Sequence, residues 1–194
     1  MILHRQIDLN SRFDILHAKV NQPFRRRSAM VKEYTLQEAL KLAIKTEKES
    51  MDFYRKAGAI TADERSKKVF GLLANEESGH LKAFFNHYTW GDLGNLAGFM
   101  ESPADKNSAT HRALEQALAA DVHEQKALEI ALQEEKACIG LYTVLVKDIV
   151  DPLVRRVFET VIRETQGHYD MIEDEYMRVM AMVDRSDQDI YVRE

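Results

Sequence analysis

The chain has a single cysteine, three prolines, eight glycines and one tryptophan in 194 residues. With Cys138 alone, an intrachain disulfide is excluded, as is a four-cysteine zinc or iron centre built within one chain, and a reducing, cytoplasmic setting is the expectation. So few helix breakers, set among abundant Ala, Leu, Glu, Lys and Met, favour long helices over a sheet. No uncharged apolar run approaches the length of a bilayer. Arg5, Asp8, Arg12 and Asp14 also interrupt the region where the apolar segment of a signal peptide would lie, so no membrane partner is expected. A net positive charge is confined to the first 29 residues. The net charge is −5, yet residues 1–29 carry six basic side chains against Asp8 and Asp14, so the rest of the chain is the more acidic part. A phosphate backbone is held mainly by clustered Lys and Arg, so an acidic body argues against nucleic acid as a partner and suits metal cations.

What is present is helical periodicity. Residues 1–29 lack it and end in Phe24-Arg25-Arg26-Arg27, so residues 1–34 are expected to form an arm outside the main fold, with Met30 a candidate start. From Thr35 an apolar stripe runs through Leu36, Leu40, Ala43, Ile44, Met51, Phe53 and Ala57, with Thr35 and Glu38 spaced as a capping box. A turn near 58–61 precedes a second stripe from Val69 to Phe85, and the two should form a helix hairpin. Breakers at Gly91–Gly94 and Glu101–Asp105 mark a long connection with a short helix near 109–120. A third helix is expected over 124–148. A fourth should begin at Asp151-Pro152, an N-cap Asp with Pro in the first helical position, and run to about 183. The bundle is thus placed at 35–185 and a polar tail at 186–194.

Residues 37–80 repeat over 125–168 at a constant shift of 88 without a gap. Identical pairs include Glu47/Glu135, Lys48/Lys136, Tyr54/Tyr142, Asp63/Asp151, Phe70/Phe158, Glu76/Glu164, Gly79/Gly167 and His80/His168. Shared helical patterning explains the apolar matches. It does not explain Glu, Tyr and His recurring in register, because a core requires none of them. Glu47 and Tyr54 lie two turns apart on one helix face, as do Glu135 and Tyr142. Glu77 and His80, three apart, project together and can offer an oxygen and a nitrogen to one metal ion.

From residue 35 to about 180 the chain resembles the rubrerythrin-like branch of the ferritin-like diiron-carboxylate proteins. Ala43 to Tyr54 and Leu73 to His80 are similar to that family's first metal half-site, and Glu135 to Tyr142 with Glu164 to His168 to its second. The resemblance implies an all-α, ferritin-like four-helix bundle made of two repeated hairpins, with a long crossover from the second helix to the third. It implies two iron ions, for which manganese or a mixed pair also suits the same hard donors. Glu47 and Glu135 would be terminal ligands, Glu77 the bridge, His80 and His168 the nitrogen donors, and Tyr54 and Tyr142 would stand just beyond them. The chain departs from the family at Thr165, where the second Glu-x-x-His would have Glu. Glu164, four before His168, is the candidate replacement ligand. Cys138, at a position where classical rubrerythrins carry a further carboxylate, is expected to be a small buried helix residue.

The activity so implied is peroxide reduction or ferrous-iron oxidation, with hydrogen peroxide or dioxygen as the small substrate. The family's cysteine-rich electron-transfer domain has no counterpart here, so electrons would come from a separate donor such as a rubredoxin-like protein or a flavoprotein. A homodimer is the family habit. Two other readings stand beside this one: a non-catalytic iron-binding or iron-handling bundle with an altered second half-site, and a metal-free scaffold. The scaffold is disfavoured because buried carboxylates facing one another without a cation are costly.

Overall fold

The computed structural model describes residues 34–119 and 123–191. The expected arm, Met30 included, lies outside the described residues. Among them there are six helices and no strand: α1 Leu36–Ile60, α2 Glu64–Phe85, α3 Leu96–Met100, α4 Ala109–Ala119, α5 His123–Leu145 and α6 Pro152–Tyr191. The architecture is the expected all-α bundle. Helices α1 and α2 form one antiparallel hairpin, α5 and α6 the other, and α1 packs beside α5 as α2 packs beside α6.

The helix starts follow from local chemistry. Thr35 and Glu38 form a complete capping box at the head of α1. Asp63 and Asp151 cap α2 and α6, each accepting two backbone N–H groups from the first turn. This repeated Asp pair is therefore a pair of caps. Helix α1 runs on to Ile60, which shortens the hairpin turn to Thr61–Asp63. The crossover turns at Gly91 and Gly94, both in the left-handed region (φ 76° and 71°), where a side chain would be strained. It includes the short α3, which the breakers on either side concealed in the sequence, and α4, where a helix was expected. Helix α6 extends beyond the expected end near 183, to Tyr191.

Two apolar clusters fill the bundle. One joins the start of α1 and the end of α2 to the end of α5 and the start of α6, through Leu40, Ile44, Leu81, Phe84, Tyr142 and Phe158. The other joins the opposite ends through Phe53, Tyr54, Phe70, Leu73, Leu128, Ala131 and Ile172. Between them the buried side chains are polar: Glu47, Glu77, His80, Glu135, Thr165 and His168. The repeat makes the two clusters related, since Phe70 lies against Tyr54 (ring centroids 6.2 Å apart) and its counterpart Phe158 against Tyr142 (5.7 Å).

Candidate metal centre

Each helix of the two hairpins contributes to the polar layer because the residue spacings turn the same face inward. On α2, Glu77 and His80 lie three apart, so both project to the bundle axis. Two groups of potential ligands result: Glu47, Glu77 and His80, and Glu77, Glu135 and His168. Within each group the donor atoms lie within 4.8 Å of one another, and all five residues are buried. Glu77 belongs to both. One of its oxygens faces His80 Nδ1 at 3.4 Å and the other faces His168 Nδ1 at 3.1 Å. Glu47 approaches His80 Nδ1 at 3.4 Å and Glu135 approaches His168 Nδ1 at 3.7 Å. The two imidazoles stack with centroids 5.3 Å apart and planes 19° from parallel.

The tyrosines act across the hairpins. Tyr54 of α1 donates its hydroxyl to Glu135 of α5, and Tyr142 of α5 donates to Glu47 of α1. Burial, with the charge of the neighbouring glutamate adding to it, pushes both phenols well above their ordinary range, so each stays a neutral donor.

The carboxylates and imidazoles share protons in a way that stands in for cationic charge. Burial raises Glu47 well above the carboxylate range, and the charge of Glu77 adds to this. Burial raises Glu135 as well. Burial also opposes ionisation of Glu77, but hydrogen bonding to Glu47, His168 and His80 outweighs it and holds Glu77 far below that range. For the histidines burial favours the neutral ring, yet contacts with Glu47 and Glu77 push His80 up to about 11, and contacts with Glu135 and Glu77 push His168 up to about 10. Two protonated imidazoles thus occupy the positions at which two cations would balance the carboxylates.

A metal pair fits this layer. His80 Nδ1 is buried and has no hydrogen-bond partner, while it points at two carboxylates. A buried nitrogen without a hydrogen bond is costly, and a cation that displaced its proton would be held by its lone pair and by the two carboxylates it faces. Hard carboxylate oxygens with imidazole nitrogens suit iron or manganese.

Of the residues singled out from the sequence, Glu47, Glu77, His80, Glu135 and His168 are brought together, with Tyr54 and Tyr142 one hydrogen bond away. Glu164 is not among them. It lies outside both ligand groups, on the outer side of His80, where it meets Nε2 at 3.0 Å. Four residues before His168, it is turned around α6 toward the α2 groove and not toward the axis. Its repeat counterpart Glu76 holds the same relation to His168 Nε2, at 2.6 Å. Glu76 was missed as a site residue, although its pairing with Glu164 in the repeat was a signal. Thr165 is buried in the layer in place of a fourth carboxylate. Cys138 is buried, and burial beside Glu135, Glu47 and Glu77 raises its thiol well above the ordinary range, so it is a packed thiol and not a thiolate. A third acidic group, Asp63, Glu124 and Glu175, is engaged by Arg178 and Ser66.

An all-α bundle with a carboxylate–histidine layer shared between two hairpins has side chains that could hold metal ions. Residues 2–88 match the family model described as Rubrerythrin. The match takes in Glu47, Tyr54, Glu77 and His80, and the second hairpin lies beyond it. It also takes in the segment expected as an arm, whose structure lies outside the described residues. No curated protein and no solved structure matches the chain.

Proposed function

We propose that the chain is a rubrerythrin-like diiron oxidoreductase that reduces peroxide or oxidises ferrous iron. The observation that carries this reading is Glu77, whose two oxygens each face the histidine of a different half-site. Glu47 and His80 would hold one iron, Glu135 and His168 the other, and Glu77 both. Such a pair supplies two electrons together, the number needed to break an O–O bond without releasing a radical. The chain's residues do the rest. The two apolar clusters exclude water from above and below the layer. Tyr54 and Tyr142 donate their hydroxyls to Glu135 and Glu47 and can follow a change in carboxylate position. Reduction of hydrogen peroxide to two waters consumes two protons and two electrons, so turnover requires a separate donor, such as a rubredoxin-like protein or a flavoprotein. Ferroxidase turnover takes its electrons from the incoming ferrous ions and passes them to dioxygen.

Thr165 favours a second reading, a non-catalytic iron-binding bundle. Three carboxylates leave two divalent ions with excess positive charge in a low-dielectric layer, and this weakens the second half-site. The deciding measurement is metal content per chain after purification without oxygen from iron-supplemented cells, followed by peroxide consumption. Two irons with peroxide turnover support the oxidoreductase. Stable iron without turnover supports the binding protein, and chelator-insensitive protein lacking metal would overturn both. His80→Ala should remove metal and activity together. A cytoplasmic homodimer belongs to the same proposal, and light scattering on the purified full chain checks the dimer. Among the described residues no helix is long and apolar enough to cross a membrane.

A further inference from the structure

Each histidine of the polar layer meets a carboxylate on its outer edge, and in each case that carboxylate comes from the other hairpin. Glu164 of α6 meets Nε2 of His80 on α2 at 3.0 Å, and Glu76 of α2 meets Nε2 of His168 on α6 at 2.6 Å. The relation is reciprocal, and it joins residues that the internal repeat keeps identical. The imidazole side chains are 7% and 2% exposed, whereas Glu164 and Glu76 are 54% and 41% exposed. Both glutamates line a groove of about 510 Å³ between α2 and α6, together with Gly79 and Thr160. They therefore belong neither to the buried ligand groups nor to the apolar packing.

An imidazole can give a lone pair to a metal from only one nitrogen, and the partner of the other nitrogen decides which. A carboxylate at Nε2 accepts a hydrogen bond only if Nε2 carries the proton. Nδ1, which faces Glu47 and Glu77 in His80, and Glu77 and Glu135 in His168, is then the nitrogen left for the cation. We propose that Glu164 and Glu76 are positioning residues for a pair of first-row divalent cations. Each fixes the ring of the opposite hairpin's histidine with Nε2–H outward and Nδ1 inward. The inference rests on the metal centre proposed above and extends it to residues outside the ligand set. The crossing makes each half-site depend on both hairpins. It also accounts for the repeat retaining Glu76/Glu164 while Glu77/Thr165 diverges, since the single Glu77 already reaches both histidines.

The test is cobalt(II) binding to the full chain, read as stoichiometry and affinity by competition with a chromophoric chelator and as the ligand-field spectrum. The proteins compared are wild type, Glu164→Ala, Glu164→Gln, Glu76→Ala and Glu76→Gln. Glutamine keeps an oxygen that accepts from Nε2–H but cannot serve as an anionic ligand. The wild type should bind two ions. Each alanine variant should weaken one of them by about 10–100-fold, the range seen when such outer partners are removed. Each glutamine variant should stay close to wild type in affinity and spectrum. The metal-free protein should keep its helical circular dichroism throughout, with the alanine variants melting only modestly lower, because both carboxylates are half exposed and water in the groove can accept from Nε2–H in their place. Alanine variants that bind both ions as tightly as wild type would overturn the positioning role alone. Glutamine variants as weak as alanine would also overturn it, by showing that the carboxylate itself binds the metal. A wild type that binds no cobalt would instead overturn the metal centre beneath it.

Discussion

Thr165 occupies the one place where the two half-sites differ in the polar layer, being buried where the first repeat has Glu77. Thr165→Glu would add a fourth carboxylate and complete the charge balance for two divalent ions. Metal titration should show tighter binding of the second ion, and the metal-free variant should melt lower than wild type, because one more buried carboxylate lacks a cation. Unchanged affinity would show that Thr165 does not limit the site. The same groups set a pH dependence. His80 and His168 are raised from 6.5 to about 11 and about 10, so their bound protons stabilise the metal-free fold fully below pH 6.5. That contribution is lost as the pH rises toward 10 and 11. Glu47 and Glu135, also raised, act in the same direction. Urea denaturation of metal-free protein should therefore show stability falling from pH 7 to 10. Metal-loaded protein should lack the decline, since the cation replaces the Nδ1 protons, and metal affinity should rise with pH.

At the scale of the helix, the repeated Asp63 and Asp151 have equal roles as caps and unequal surroundings. Asp63 also accepts from Arg178 at 2.7 Å, and Arg178 in turn binds buried Glu175. Removing a cap costs about 1 kcal/mol, with a range of about 0.5–2 kcal/mol. Asp151→Ala should fall there. Asp63→Ala should cost about 1–3 kcal/mol more, because it also loosens the charged network around Glu175. Equal losses in denaturant titrations would show that the Arg178 contact contributes nothing. Lys48 and Lys136 diverge in the same manner. Lys48 is buried and tied to Asp52 and the Ser102 carbonyl, thereby anchoring the crossover to α1, while Lys136 is exposed. Identity in the repeat marked caps, polar-layer side chains and one ordinary lysine alike.

Over the whole molecule the polar layer divides the core in two, so stability depends on the apolar clusters and on what neutralises the layer between them. Phe158, fully buried against Phe84 (4.6 Å between ring centroids) and Tyr142, anchors one cluster. Phe158→Ala should cost about 3–5 kcal/mol in chemical denaturation. Chelation should act on the layer instead. Metal at one hundred times its dissociation constant adds about 2.7 kcal/mol per site, so stripping it should lower the melting temperature in a concentration-dependent way. A chelator-insensitive melt would mean that the layer is held by its own protons and ion pairs alone.

The helices, their caps and the inward-facing Glu, His and Tyr were legible in the sequence, because a period of 3.6 and a repeat in register both leave their mark on a linear chain. Partner choice was not. Glu47 and Tyr54 share a helix face but stand two turns, about 10 Å, apart along it, so Tyr54 cannot bond its own neighbour and reaches across to Glu135. For the same reason Glu164 could be read as a ligand from spacing alone, four residues before His168, while only the packing of α6 against α2 sets it at the outer edge of His80. Spacing along a helix determines which side chains share a face. Only the tertiary structure decides which of them meet, since apart from Glu77 with His80 on α2 the contacts described in this layer cross between helices whose relative rotation and height no local pattern specifies.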